Sequence, residues 1–159
     1  MNPDHDKFMA IAIEEARLGA AAGEQPFGAV VTLNGEEIVR ARSLKVATSD
    51  CTAHSETLAI KYATQKLQQR SLPEGSVFYC TCEPCPMCLG AVLNGGIKTI
   101  VVGARNAQIK NTAPLAFNFG DYSIETFSKM VGWDLTVVEG VRNAECVALY
   151  SGAKVELTR

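Results

Sequence analysis

At 159 residues the chain can bury one sizeable core and is short for two, so a single domain over 1–159 is expected. With 47% hydrophobic and 20% charged residues it reads as an ordinary soluble globular chain, and no apolar run approaches the ~18–20 residues of a membrane span. The net charge of −2, with no basic block, weighs against a nucleic-acid partner, whose phosphates are gripped by clustered Lys and Arg. The start, Met1 to Asp6, is acidic and polar, unlike a secretory signal. Four of the six cysteines (Cys80, Cys82, Cys85, Cys88) cluster within nine residues, a pattern that suggests metal before disulfides and a reduced, cytoplasmic setting. Cys51 and Cys146 stand alone and read as small apolar residues.

In chain order, Phe8 to Ala22 has the spacing of an amphipathic helix, preceded by acids that suit its dipole and followed by Gly23. His5 falls in a frayed terminus and receives no role. Gln25-Pro26 breaks the chain before a buried strand from Phe27 to Leu33. Asn34-Gly35 is a strong hairpin signal and leads into a second strand through Ile38, Val39 and Ala41. Leu44 to Asp50 reads as a polar loop, with Asp50 or Thr52 capping a helix that runs to about Leu67.

A third strand, Ser76 to Thr81, enters the cysteine segment and a short helix ending near Gly95-Gly96. A fourth strand spans Lys98 to Gly103. Arg105 to Asp121 lacks clear periodicity, which suits a lid or a binding loop. A helix from Tyr122 to Val131, a strand from Leu135 to Val138 and a helix from Asn143 to Tyr150 complete the chain. Helices alternating with strands predict a three-layer α/β/α domain with an antiparallel hairpin at one side of the sheet.

Two segments carry the chemistry. His54-Ser55-Glu56 opens one predicted helix, and Pro84-Cys85-Pro86-Met87-Cys88 opens another. Pro86 suits the first helical position, which places Cys85 at the cap and Cys88 one turn on. His54 and Glu56, two apart, could not share a face in mid-helix but can both lean off a helix tip. Two helix N-termini are therefore expected to converge on one zinc ion, held by His54, Cys85 and Cys88. Three protein ligands leave a position for water, as catalytic zinc sites do, whereas structural sites take four. Glu56 is then the proton shuttle, beside the metal without binding it. This His-x-Glu and Pro-Cys-x-x-Cys pairing is the signature of zinc-dependent base deaminases. A zinc knuckle or a redox Cys-x-x-Cys explains the cysteines but not His54 and Glu56. Cys82 also forms a Cys-x-x-Cys with Cys85 and is an alternative ligand, although a core or supporting position suits it better.

The chain resembles the cytidine-deaminase-like superfamily from its first helix to about Tyr150. The matching stretches are Pro26 to Val31, Thr52 to Glu56 and Thr81 to Ala91. The nearer branch holds guanine deaminases, yeast-type cytosine deaminases and bacterial tRNA adenosine deaminases. The resemblance implies a five-stranded mixed sheet between helices, zinc as cofactor and a homodimer. It also implies that Phe27 packs on the substrate ring and that the Ser55 N–H faces the substrate. Relatives usually carry alanine at Ser55, and asparagine eleven residues before the histidine, where this chain has Ser43. Phe117, Phe119 and Asp121 fall where relatives close the pocket: either they serve it, with Asp121 reading the substrate, or both phenylalanines are core and Asp121 caps the next helix. The function expected is hydrolytic deamination of a free nucleobase or related amino-heterocycle, guanine-type first and cytosine- or triazine-like next. The expected partner is thus a small heterocyclic base. The alternative is adenosine deamination in tRNA, and a third reading, a non-catalytic zinc subunit, is disfavoured by the presence of Glu56.

Overall fold

The computed structural model describes residues 4–153 and Leu157. The first three residues, Lys154 and Arg159 lie outside them. The chain order is α1 (His5–Ala21), β1 (Gly28–Leu33), β2 (Glu36–Arg42), α2 (Lys45–Thr48), α3 (Ser55–Leu67), β3 (Ser76–Cys82) and α4 (Pro86–Asn94). Then come β4 (Thr99–Ala104), α5 (Asn106–Ile109), α6 (Pro114–Phe117), α7 (Ile124–Met130), β5 (Thr136–Glu139) and α8 (Asn143–Ser151).

The strands form one five-stranded mixed sheet in the order β2-β1-β3-β4-β5. β1 pairs antiparallel with β2 and β3, while β4 runs parallel to β3 and β5. The hairpin turn is made as the Asn-Gly pair predicts, with both Asn34 and Gly35 at positive φ (52° and 81°). Alternation along the strands separates two apolar layers. Ala29, Val31, Phe78, Ile100 and Val102 pack with α3, α4 and Ile124 of α7. Val30, Tyr79 and Val101 pack with α1 and with Cys146 and Tyr150 of α8. The fold is the α/β sandwich expected, and its parallel β3 and β4 end side by side beneath the cysteine segment.

Several local expectations change. α1 begins three residues early because the Asp4 side chain accepts from Lys7 N (3.1 Å). His5 is therefore helical rather than frayed, with Nδ1 3.1 Å from the Tyr79 hydroxyl. The Leu44–Asp50 segment contains the turn α2, whose amides at Val46 and Ala47 are accepted by the buried Glu24 carboxylate at 3.0 and 2.6 Å. α3 starts at its cap His54, not at Asp50 or Thr52. Asp50 instead accepts from Thr52 N and Oγ1 in a local turn (2.8 and 2.7 Å). The aperiodic stretch holds α5 and α6, and α7 is capped by Ser123, which accepts from Thr126 N (3.1 Å).

Candidate active site

The site forms where three chain segments end on one side of the sheet. His54 is the extended cap residue of α3 (φ −72°, ψ 151°), so its ring projects off the helix tip. Cys85 is the cap of α4 (φ −66°, ψ 166°), Pro86 occupies the first turn and Cys88 follows one turn on. Nδ1 of His54 lies 3.3 Å from Cys88 Sγ and 3.8 Å from Cys85 Sγ. The three ligand atoms all fall within 4.8 Å of one another. Zn–N of ~2.1 Å and Zn–S of ~2.3 Å at tetrahedral angles separate ligand atoms by about 3.5–3.8 Å, so the donor set fits a zinc ion. Cys82 is not part of this group. Its buried sulfur donates instead to Asn106 Oδ1 at 3.6 Å.

Electrostatics tie the ligands together. The hydrogen bond from the Cys88 thiol, helped by His54, holds Cys85 down at about 4 against the opposing effect of burial. The same Cys88–Cys85 bond, together with burial, pushes the Cys88 thiol far up. The pairing thus favours a thiolate at Cys85, the form in which cysteine binds a metal. Burial pulls the His54 imidazole down, but its bond to Cys85 and the charges of Glu56 and Cys85 outweigh that and raise it.

Glu56, on the first turn of α3, is 4% exposed. Burial, then the Cys85 charge, raises its carboxyl above the ordinary range, with His54 opposing. The Ser55 hydroxyl donates to Glu56 Oε2 at 2.8 Å, so the departure from alanine at this position gives the acid a fixed partner. A buried carboxyl with a raised pKa and one oriented oxygen is equipped to accept and return a proton.

A cavity opens on these groups. Its walls include Phe27, Ser43, Lys45, His54, Glu56, Cys85, Asn106, Phe117 and Phe119. Phe27 packs on Tyr150 and Phe117, with ring centroids 5.2 and 6.0 Å away, and the Tyr150 hydroxyl is 2.7 Å from Thr81 Oγ1. Ser43 is buried, with its backbone N–H donating to the Phe27 carbonyl (3.4 Å). Of the residues expected at the site, Asp121 is not brought to this wall. It is exposed, its carbonyl accepts from Thr126 Oγ1 (3.3 Å), and the cap it could have formed belongs to Ser123.

Sequence reasoning missed three polar groups. Glu83 is buried and accepts from Asn106 N (2.9 Å) and Ile124 N (3.2 Å), 3.5 Å from Arg105 Nη2. It joins the cysteine turn to α5 and α7. Asn106 is 7% exposed, and its Nδ2 has no partner among the described residues. A buried donor left unpaired costs ~1–3 kcal/mol, so this wall is suited to an acceptor on a ligand. Glu24, which holds α2, is the third. The signals available were an acid inside the cysteine motif (Glu83) and one two residues before a chain-breaking proline (Glu24).

Comparison with known proteins places the site in context. Residues 2–104 match the family model described as the cytidine and deoxycytidylate deaminase zinc-binding region. The tRNA-specific adenosine deaminase of Bacillus subtilis (strain 168) is 43% identical over 97 residues, 61% of this chain and 60% of that enzyme. The tRNA-specific adenosine deaminase of Haemophilus influenzae is 34% identical over 142 residues, 89% of this chain and 78% of that enzyme. A solved structure described as part of studies of A-to-I editing by tRNA:A34 deaminases at the wobble position superposes with a TM-score of 0.77. It is 30% identical and covers 90% of this chain and 98% of the other. These likenesses overturn the expectation of a free nucleobase substrate and the expectation that nucleic acid is an improbable partner. Zinc is the family's metal, and the His54, Cys85 and Cys88 cluster fits it. With the match spanning both metal-ligating segments, the chain belongs to the cytidine and deoxycytidylate deaminase zinc-binding family.

Proposed function

We propose that this chain is a hydrolytic deaminase acting on adenosine within tRNA. Its likeness to tRNA-specific adenosine deaminases, 34% identity over 89% of the chain, carries the substrate reading. The buried Glu56 beside three metal ligands carries the chemistry. His54, Cys85 and Cys88 would hold the zinc, which when bound acidifies a water molecule at neutral pH.

Glu56 would take one proton from the attacking water as its oxygen adds to C6 of the adenine ring, and pass it to ring N1. It would then take the second proton, from the new C6 hydroxyl, and deliver it to the exocyclic amine, which leaves as ammonia while C6 becomes a carbonyl. The balance is adenosine plus water giving inosine plus ammonia. The Ser55 hydroxyl keeps one Glu56 oxygen in place during the transfer. Phe27, Phe117 and Phe119 offer apolar surface to a base splayed from its strand and exclude bulk water.

The low net charge, taken as evidence against nucleic acid, is a sum over the whole chain. It says nothing about where a few cations stand around a cavity, and a stem-loop held at a few phosphates needs only those. The test is ammonia and inosine formation from a tRNA anticodon stem-loop, set beside free adenine, guanine, cytosine and adenosine. Turnover is expected on the stem-loop alone. Turnover of free bases with an inert stem-loop would overturn the reading.

A further inference from the structure

The cavity wall includes a cation that the reaction does not use. Among the described residues Lys45 is the only lysine or arginine lining it, set among Gln25, Ser43 and His54. Its backbone is fixed. Lys45 N donates toward Ser43 Oγ (3.5 Å), and the next two amides are held by the buried Glu24 carboxylate. Glu24 thus anchors α2 so that Lys45 half-buries against the cavity while Val46 and Ala47 face outward.

A second cation stands on another side. A neighbouring depression shares Glu83, Asn106, Phe117 and Phe119 with the cavity and is also lined by Lys110, the exposed residue that ends α5. α2 follows β2 and α5 follows β4, strands that flank the central pair β1 and β3. The two lysines therefore stand on segments that leave the sheet on either side of its middle pair, one lining the cavity and one the adjoining depression.

The acids make this placement consequential. Glu56 and Glu83 both line the cavity, and of the two Glu83 is compensated by Arg105. A free neutral base needs no cation to approach such a mouth. A base still joined to its strand brings a phosphate on each side, and these would be repelled without local positive charge. Resting on the tRNA reading above, we infer that Lys45 and Lys110 form a phosphate clamp that holds the two backbone segments flanking the splayed nucleotide. They are specificity-determining residues that select a base in a polynucleotide over the same base free.

The experiment compares zinc-replete wild type, Lys45→Gln, Lys110→Gln, the double variant and the distant control Lys129→Gln. Each is assayed on the stem-loop at several salt concentrations, with adenosine 5′-monophosphate as a second substrate. Each cavity variant is expected to raise KM for the stem-loop about 3- to 10-fold, with kcat moving less than KM. The slope of log affinity against log salt should shrink by about one per lysine. Arginine at either position should restore most of the affinity, which a merely structural lysine would not predict. Lys129→Gln should match wild type. Wild-type turnover of the stem-loop with unchanged slopes in both variants would overturn the clamp alone. Lysine-dependent turnover of the free monophosphate as good as that of the stem-loop would place the phosphate on a free nucleotide and overturn it too. A wild type inert on the stem-loop would instead overturn the functional reading beneath it.

Discussion

Glu56, the proposed proton shuttle, carries an energetic cost. Burial raises its carboxyl, so the folded chain favours the protonated form more than the unfolded chain does. Stability from this group is fully present below the ordinary glutamate value of 4.5 and is lost as pH rises through the raised one. Glutamine has no proton to lose there. Glu56→Gln should retain zinc and lose about 10²–10⁴-fold in kcat, the usual contribution of a positioned proton shuttle. With zinc chelated from both proteins, the variant should melt above wild type at neutral pH, and the gap should close on acidification. Metal analysis, single-turnover kinetics and melting curves between pH 4 and 8 check the three parts. At this level the sequence was most legible where partners are close along the chain. His54, Glu56, Cys85 and Cys88 declare themselves because a cap residue and its first turn fix which way each side chain leans. Glu24, Glu83 and Asn106 do not, because their partners stand 22, 23 and 41 residues away or, for Asn106 Nδ2, are missing among the described residues.

β1 shows how closely one element governs the approach to the site. Its first residue, Gly28, lies against α1 so tightly that a Cβ there would run into the Ala12 carbonyl, with the Ala16 amide close behind. Its N–H donates to Thr81 Oγ1 (3.2 Å), so the strand start cannot retreat without losing a buried bond. Gly28→Ala should therefore destabilise the fold by about 1–3 kcal/mol, the usual cost of overpacking. Denaturant midpoints checked against an unchanged m-value would measure it. Long periodic elements and the Asn34-Gly35 turn were readable because their signals are local. α2, α5 and α6 were not, since a four-residue turn has no periodicity to detect and α2 depends on an acid from another segment.

Across the molecule, the metal is the only group proposed to join α3 and α4 at their tips, and it therefore links folding to the site. Chelating zinc should lower Tm, and restoring it at about 1,000 times its Kd should recover ~4 kcal/mol. Calorimetry with and without chelator measures this, and an unchanged Tm would exclude His54, Cys85 and Cys88 as a metal site. The sequence by itself determined the sandwich of helices on a mixed sheet and the His54, Cys85 and Cys88 cluster. The first follows from periodicity, and the second from two short motifs, each held within about one helical turn. The tertiary structure alone decided which further groups line the cavity. It set Lys45 and Asn106 beside Phe117 and Phe119 and left Asp121 in solvent. The reason is physical: a wall assembled from separate loops is set by the sheet order that carries them, and no local pattern of residues encodes that order.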